Sequence, residues 1–188
     1  NLGDEAILQS IIADVRAEAS ILVFSRDAQD TRTRHGVDAV AVREMTWQQS
    51  RQIVSKLDVL VFGGGGLLFD DEAELFLREV LIAHEVAVPV VVYGISSGPL
   101  RQHHVRDHVR DALNGCAAIT VRDRYGLQLL QDIGVKVPVE LTADPALLLQ
   151  PEDMPASALH HEGLDHTRHL VGLSVREPGP AAPDLDID

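Results

Sequence analysis

An apolar strand pattern that runs directly into a block of glycines narrows the choice of fold more than anything else in this chain. Residues 57–62 read Leu-Asp-Val-Leu-Val-Phe, and Gly63 to Gly66 follow without a break. Glycine adopts positive φ freely and lets a ligand approach the backbone closely. Successive N–H groups in such a loop can form a nest for a phosphate or a carboxylate. The alternative is a tight turn that only relieves crowding, since short glycine motifs often occur by chance.

Similar apolar runs recur along the chain and alternate with segments of helical periodicity. The predicted strands are residues 21–24, 39–42, 59–62, 90–93, 118–121 and 139–142. Helical spacing of apolar residues predicts helices over 8–15, 73–81, 105–112 and 127–133, the second opened by a capping box of Asp71 and Glu74. Runs that are apolar on both faces are typical of parallel sheets, and βα alternation implies right-handed crossovers. We therefore predict an α/β fold with a doubly wound, mainly parallel Rossmann-like sheet.

The chain changes character after residue 150. Residues 1–150 are predicted to form an N-terminal Rossmann-like domain. Residues 151–169 are rich in Pro, Glu, Asp and His without periodicity, which is typical of a linker. Residues 170–175 have a strand pattern with no sheet to join, so 170–188 are interpreted as the start of a truncated C-terminal domain.

Composition argues against several classes of protein. The formal net charge of −13 disfavours a nucleic-acid binder, which needs a basic stripe. The one cysteine forms no internal disulfide, so we expect a reducing, cytoplasmic compartment. No apolar stretch approaches the roughly 20 residues of a transmembrane helix. His104 and His108 are four residues apart, a spacing compatible with one metal, but no nearby glutamate or cysteine completes a set, so no metal site is predicted.

Polar motifs follow several of the predicted strands. In open α/β sheets, ligands bind beyond the carboxyl ends of the strands. We expect a binding site where the following segments meet: residues 1–4, 63–66, 93–99, 122–124 and 143–145.

These motifs resemble those of the polysaccharide pyruvyl transferases. The similar segments, in order, are Asn-Leu-Gly-Asp-Glu-Ala-Ile-Leu at 1–8, Gly-Gly-Gly-Gly-Leu-Leu-Phe-Asp at 63–70, Gly-Ile-Ser-Ser-Gly-Pro at 94–99, Thr-Val-Arg-Asp at 120–123 and Thr-Ala-Asp-Pro-Ala at 142–146. One departure is Ser96-Ser97-Gly98-Pro99, where the family usually has a Gly-x-Gly-Pro turn. The resemblance implies the N-terminal domain of a GT-B-like enzyme whose two Rossmann-like domains face each other across a cleft.

The resemblance also implies transfer of a pyruvyl group from phosphoenolpyruvate to sugar hydroxyls during cell-surface polysaccharide synthesis. Phosphoenolpyruvate is a substrate here, and no cofactor is expected. Such a site needs hydrogen-bond donors, cations and an acid/base pair. The expected substrate-binding residues are Asn1, Gly3, Gly64, Gly65, Gly66, Ser97, Gly98, Arg101, Arg122 and Arg176, and the candidate acid/base residues are Asp4, His103 and His104.

Several of these residues also have structural interpretations. Asp4 is a candidate N-cap of the first helix, and Asp70 and Asp71 are candidates to begin a later one. Arg122 with Asp123 is a candidate ion pair, and Asp144 before Pro145 is typical of a turn.

Two other functions are also compatible with the sequence. One is a GT-B nucleotide-sugar glycosyltransferase, and the other is a non-catalytic flavodoxin-like regulatory or assembly module. The expected partners are phosphoenolpyruvate, a sugar or polysaccharide acceptor and a second copy of the chain. We expect a cytoplasmic protein, peripheral to the inner membrane face, and residues 1–188 alone to be inactive because the second wall of the cleft is missing.

Overall fold

The computed structural model of this chain describes residues 2–70, 72–150, 155–165 and 169–173. The chain divides into two compact units, Asn1–Leu149 and Gln150–Asp188, and most of the regular structure lies in the first. None of the described helices is long and apolar enough to span a membrane.

Strands and helices alternate along the first unit, as the apolar periods predict. The strands are β1 (Leu22–Ser25), β2 (Asp38–Ala41), β3 (Leu60–Leu68), β4 (Val90–Ser97), β5 (Ala118–Val121) and β6 (Val139–Leu141). The helices are α1 (Leu2–Val15), α2 (Ala28–His35), α3 (Trp47–Val54), α4 (Ala73–Glu85), α5 (His103–Leu113) and α6 (Arg124–Asp132), with 3₁₀ turns at Val42–Glu44 and Pro145–Leu148. All six predicted strands are present, and β3 and β4 continue through residues that were expected in loops.

Every strand pairing in the described residues is parallel, but the strands form two sheets. β1 pairs with β2, and the larger sheet has the order β3-β4-β5-β6. The predicted mainly parallel α/β fold is confirmed, whereas the single doubly wound sheet is not found, because no ladder joins β1 or β2 to the larger sheet within the described residues. Neighbours in the larger sheet are also neighbours in sequence, so right-handed crossovers place α4, α5 and α6 on one face.

The main core lies between these helices and the larger sheet. Val90 and Val92 of β4 have no exposed surface, and the same holds for Val80 of α4, Val109 of α5 and Leu130 of α6. Full burial of a valine or leucine side chain stabilises a fold by about 1.5–3 kcal/mol. This packing fixes the positions of the strand ends, where the polar motifs lie.

α1 packs on the part of β3 that has no side chains. A Cβ built on Gly64 would lie 3.6 Å from Cγ2 of Ile7, which is buried. Further along α1, the Ser10 hydroxyl donates a hydrogen bond of 2.6 Å to the Pro145 carbonyl. The glycine run therefore lets a helix lie directly against the strand.

The predicted capping box of α4 is wrong. The N-cap is Glu72, which makes no side-chain capping hydrogen bond, and Asp71 lies outside the described residues. A turn before the helix already uses two N–H groups, because Glu72 and Ala73 both donate to the Phe69 carbonyl. A side-chain cap is consequently not needed for those two donors.

The second unit differs from its predicted pattern. Leu170, Val171 and Leu173 lie outside any strand and are at least half exposed, and residues 174 and 175 of the predicted strand lie outside the described residues. A strand needs a neighbour for its N–H and C=O groups, and no strand among the described residues pairs with 169–173. A short helix, α7 (Ala156–His161), lies in the predicted linker.

Candidate functional site

The polar motifs of the larger sheet meet where β3, β4 and β5 end. Because these strands are parallel, their carboxyl ends lie at one edge of the sheet. Leu68 of β3 pairs with Ser97 of β4, and the Arg122 N–H after β5 donates to the Ile95 carbonyl of β4 at 3.0 Å. We call the residues 64–68, 96–98 and 122–123 the carboxyl edge.

The glycine run is a strand segment rather than the predicted loop. Gly63, Gly65 and Gly66 pair with residues of β4, so β3 continues through the run. Gly64 and Gly65 have φ values of +97° and +88°, which side-chain-bearing residues rarely adopt. The sheet therefore holds a side-chain-free backbone, in a conformation that favours glycine, at its carboxyl edge.

Asp4 faces this backbone. A Cβ built on Gly65 would lie 2.9 Å from Oδ1 of Asp4, so the carboxylate occupies the space that a side chain would fill. α1 begins at Leu2, which puts Asp4 in the first turn, and its proposed role as the N-cap is wrong. The structure thus brings Asp4 to the glycine run from a distant part of the sequence, and Gly3 lies in the same helical turn as Asp4.

β4 ends at Ser97, in the middle of the carboxyl edge, and Gly98 follows it. The Gly98 N–H donates to the Leu68 carbonyl at 2.7 Å, and the peptide bond to Pro99 is cis. Ser97 is 1% exposed, and its hydroxyl has no hydrogen-bond partner in the described part of the chain. Buried polar groups are nearly always paired, so this hydroxyl is an exception within the core.

Asp70 organises the segment after the Gly98–Pro99 turn rather than beginning α4. Its two carboxylate oxygens accept hydrogen bonds from the Arg101 N–H at 2.8 Å, and Oδ1 also accepts from the Gln102 N–H at 3.0 Å. Gln102 is the N-cap of α5 and makes no side-chain capping bond itself. Asp70 therefore fixes the backbone of Arg101, whose side chain is exposed beside the carboxyl edge.

Arg122 forms an ion pair with Asp144, not with Asp123. Its Nη1 lies 2.6 Å from Oδ2 of Asp144, and the other carboxylate oxygen accepts from the Ala146 N–H at 3.0 Å. Asp144 thus has the structural role expected of an aspartate before proline. Both partners are partly exposed, so the pair contributes about 0–1 kcal/mol. A ligand carboxylate or phosphate can compete for Arg122 at little cost.

Asp123 and Ser96 form a hydrogen-bonded pair that was not predicted from the sequence. The Ser96 hydroxyl donates to Oδ2 of Asp123 at 2.5 Å, and the Gly126 N–H donates to Oδ1 at 2.6 Å, which makes Asp123 the N-cap of α6. An aspartate just before a helical period is a known start signal and could have identified the cap. Nothing in the sequence marks Ser96 as its partner.

The histidine candidates lie at the start of α5. His103 and His104 are exposed, and His104 contacts the ring of His108, whose Nδ1 lies 2.6 Å from Oε1 of Glu74. No group of three potential metal ligands occurs among the residues that the structure describes. Two further candidates, Asn1 and Arg176, fall outside those residues.

A cavity of about 230 Å³ lies beside Asp144. Its polar lining is already engaged: Oγ1 of Thr120 accepts from the Gly94 N–H, and Tyr93 donates to Asp14. Burial and the bond to Asp14 raise the pKa of the Tyr93 phenol. Leu147 also lines the cavity, so it offers few donors to an anion. The carboxyl edge is the better candidate for an anionic ligand.

Comparison with known proteins confirms the family that the motifs resemble. The sequence model of the family described as polysaccharide pyruvyl transferase matches residues 1–175 of the 188. A search of curated proteins found no match. The family match spans the carboxyl edge and the segment that carries Asp4.

Proposed function

The chain belongs to the polysaccharide pyruvyl transferase family, a family of transferases, and from this we propose that it takes part in pyruvyl transfer from phosphoenolpyruvate to a sugar. Two hydroxyls of the acceptor add to the carbon that carried the phosphate, giving a cyclic ketal and inorganic phosphate. The donor methylene gains one proton and becomes a methyl group. The second hydroxyl proton leaves with the phosphate, so atoms and charges balance.

The observation that carries this proposal is the Asp4 carboxylate facing Gly65 at the carboxyl edge. The reaction needs a group that gives a proton to the donor methylene and a group that takes one from the sugar hydroxyl. Asp4 comes from the first turn of α1, and its carboxylate lies against the side-chain-free backbone at Gly65. We assign Asp4 as an acid/base residue, with His103 and His104 as the other candidates.

The donor is a small, dense anion and needs positive groups around it. In this proposal they are supplied by the guanidinium of Arg122 and by those backbone N–H groups of Gly64 to Gly66 that do not bond to β4, with Arg101 beside the site. Arg122 is 26% exposed and kept in place by Asp144, which a ligand carboxylate can replace. Local donors are required because the net charge of the chain is −13 and repels anions.

The rest of the proposal concerns the whole protein. A second Rossmann-like domain would close over the carboxyl edge in a GT-B-like arrangement and exclude water. No cofactor is required, and the product would be a cell-surface polysaccharide made at the cytoplasmic face of the membrane.

The test uses the full-length protein and acceptor oligosaccharides from the producing organism's own surface polysaccharide. Mild acid first removes the existing ketals, which are acid-labile. With phosphoenolpyruvate added, we expect acceptor-dependent phosphate release and a new ketal methyl signal in the NMR spectrum. Phosphate release without a new ketal would overturn the proposal.

Asp4→Asn tests the acid/base assignment. We expect a loss of roughly a hundredfold or more in turnover, which is typical of removing a general acid or base. Asp14→Asn is the matched control, because Asp14 lies on the same helix and contacts Tyr93 instead of the glycines. If His103→Gln or His104→Gln abolishes turnover and Asp4→Asn does not, the role belongs to that histidine.

A further inference from the structure

Tyr125 is an exposed aromatic residue at the carboxyl edge that the proposed reaction does not yet use. It lies in the first turn of α6 and is 60% exposed. A Cβ built on Gly98 would lie 2.6 Å from Cε1 of Tyr125 and 3.2 Å from its hydroxyl oxygen. The edge of the ring therefore rests against the Gly98 backbone.

The backbone of Gly98 allows this close approach. Its φ is +100°, and the same Cβ position would lie 2.8 Å from Cδ2 of Leu129. Any larger residue at 98 would collide with two side chains of α6. One edge of the Tyr125 ring thus contacts the Gly98 backbone, while most of the side chain remains exposed to solvent.

Tyr125 follows β5, whereas the glycine run lies in the last part of β3, two strands away in the sheet. Neighbouring strands are about 4.8 Å apart, so the ends of β3 and β5, two strands apart, are separated by about 10 Å. Asp4 and Gly65 occupy the β3 side of the edge, whereas Arg122 and Tyr125 follow β5. This spacing suits a small anion and a sugar ring lying side by side.

Resting on the proposed function, we propose that the exposed face of Tyr125 is the platform on which the ring of the acceptor sugar stacks. A pyranose has an apolar face of C–H groups and a rim of hydroxyls. The face of an aromatic ring carries partial negative charge and attracts such C–H groups, while the contact removes apolar surface from water. The ligand is a pyranose ring with two free hydroxyls directed toward the β3 side.

The test compares three variants of the full-length protein with the de-pyruvylated oligosaccharides as acceptors. Tyr125→Ala should raise the KM for the acceptor roughly two- to tenfold, in line with the strength of aromatic contacts. The KM for phosphoenolpyruvate should not change. Tyr125→Phe keeps the ring and should retain the wild-type acceptor KM. Trp47→Ala is the control, because Trp47 is an exposed aromatic residue beside Glu85 at the far end of α4.

Each outcome separates this inference from the proposed function. If the wild-type protein forms ketals and Tyr125→Ala has an unchanged acceptor KM, the platform is refuted and the function stands. An equal rise of both KM values, with a lower melting temperature, assigns Tyr125 to structure and also refutes the platform. If the wild-type protein forms no ketal with these oligosaccharides, the proposed function fails and the platform fails with it.

Discussion

At the carboxyl edge, the glycines, which have no side chain, are as important as the residues that carry one. Gly65 leaves space for the Asp4 carboxylate, and Gly98 leaves space for the Tyr125 ring. Both glycines also have positive φ, where a side chain is strained whatever the space. Their roles are therefore testable by adding a single methyl group.

Gly65→Ala should cost far more activity than stability. Left-handed strain costs about 1–2 kcal/mol, and Asp4 can turn away from the added methyl group. Turnover should nevertheless fall roughly tenfold or more, since a displacement of about 1 Å can cost a hundredfold. The measurements are thermal unfolding and ketal formation.

Gly134→Ala is the matched control, because Gly134 has a φ of +89° and lies just after α6, away from the carboxyl edge. It should lose similar stability and keep wild-type turnover. Equal turnover in Gly65→Ala and Gly134→Ala would show that the glycine run is not part of the active site.

Replacing Ser96 and replacing Ser97 by alanine should change the free energy of unfolding in opposite directions. The Ser97 hydroxyl is buried without a partner, so Ser97→Ala should raise the free energy of unfolding by about 1 kcal/mol. Ser96 donates to Asp123, so Ser96→Ala should lower it by about 1 kcal/mol. Denaturant titration measures both. A destabilised Ser97→Ala protein would show that its hydroxyl has a partner in solution.

Among the elements, the ends of helices and strands determine the shape of the edge. Asp123 caps the N-terminus of α6. Just before α5, the Asp70 carboxylate accepts hydrogen bonds from the Arg101 and Gln102 N–H groups. Side-chain caps of this kind typically stabilise a protein by about 1 kcal/mol. They also fix where the first turn of a helix points.

Asp70→Ala should free the segment between β4 and α5. Three hydrogen bonds to the Arg101 and Gln102 N–H groups are lost, and we expect a loss of about 1–2 kcal/mol in unfolding free energy. Hydrogen exchange should accelerate at these two amides while the core of β4 stays protected. Asp107→Ala, which removes an exposed partner of Arg110, is the control and should change stability by less than about 0.5 kcal/mol. An unchanged hydrogen-exchange rate at the Arg101 amide would show that Asp70 does not hold this segment in place.

At the scale of the whole first unit, the main core packs the larger sheet against α4, α5 and α6. Cys116 is part of that core, is 7% exposed, and has a thiol pKa that burial raises to about 12. A thiol reacts as the thiolate, which is scarce far below its pKa. The reactivity of Cys116 therefore reports on the opening of this core.

Alkylation of Cys116 near pH 8 should be slow in the native protein and should accelerate in parallel with global unfolding as denaturant is added. In the unfolded chain the thiol pKa returns to about 8.5, so reaction is fast. Mass spectrometry of the peptide that contains Cys116 measures the rate. Rapid alkylation without denaturant would show that the region around Cys116 opens locally and that the core is not one cooperative unit.

The strand and helix pattern was predictable because it depends on short-range periodicity. β5 matches its predicted bounds of 118–121, and α6 covers most of its predicted helix. The continuation of β3 through the glycines was not predictable, because glycine is unfavourable in strands and only pairing with β4 holds it there. The partner of Arg122 was also mispredicted, since Asp144 comes near it only through the parallel alignment of β5 and β6.

The sequence by itself determined that this protein is a parallel α/β chain of the pyruvyl transferase family, because apolar periods and motif order are local properties of the chain. It also marked the glycine run and Arg122 as candidates for binding an anion. Only the tertiary structure decided that Asp4 faces Gly65, that Asp70 braces Arg101, and that Tyr125 rests on Gly98. These contacts join residues from different elements, and sheet pairing and helix packing alone set the distances between them.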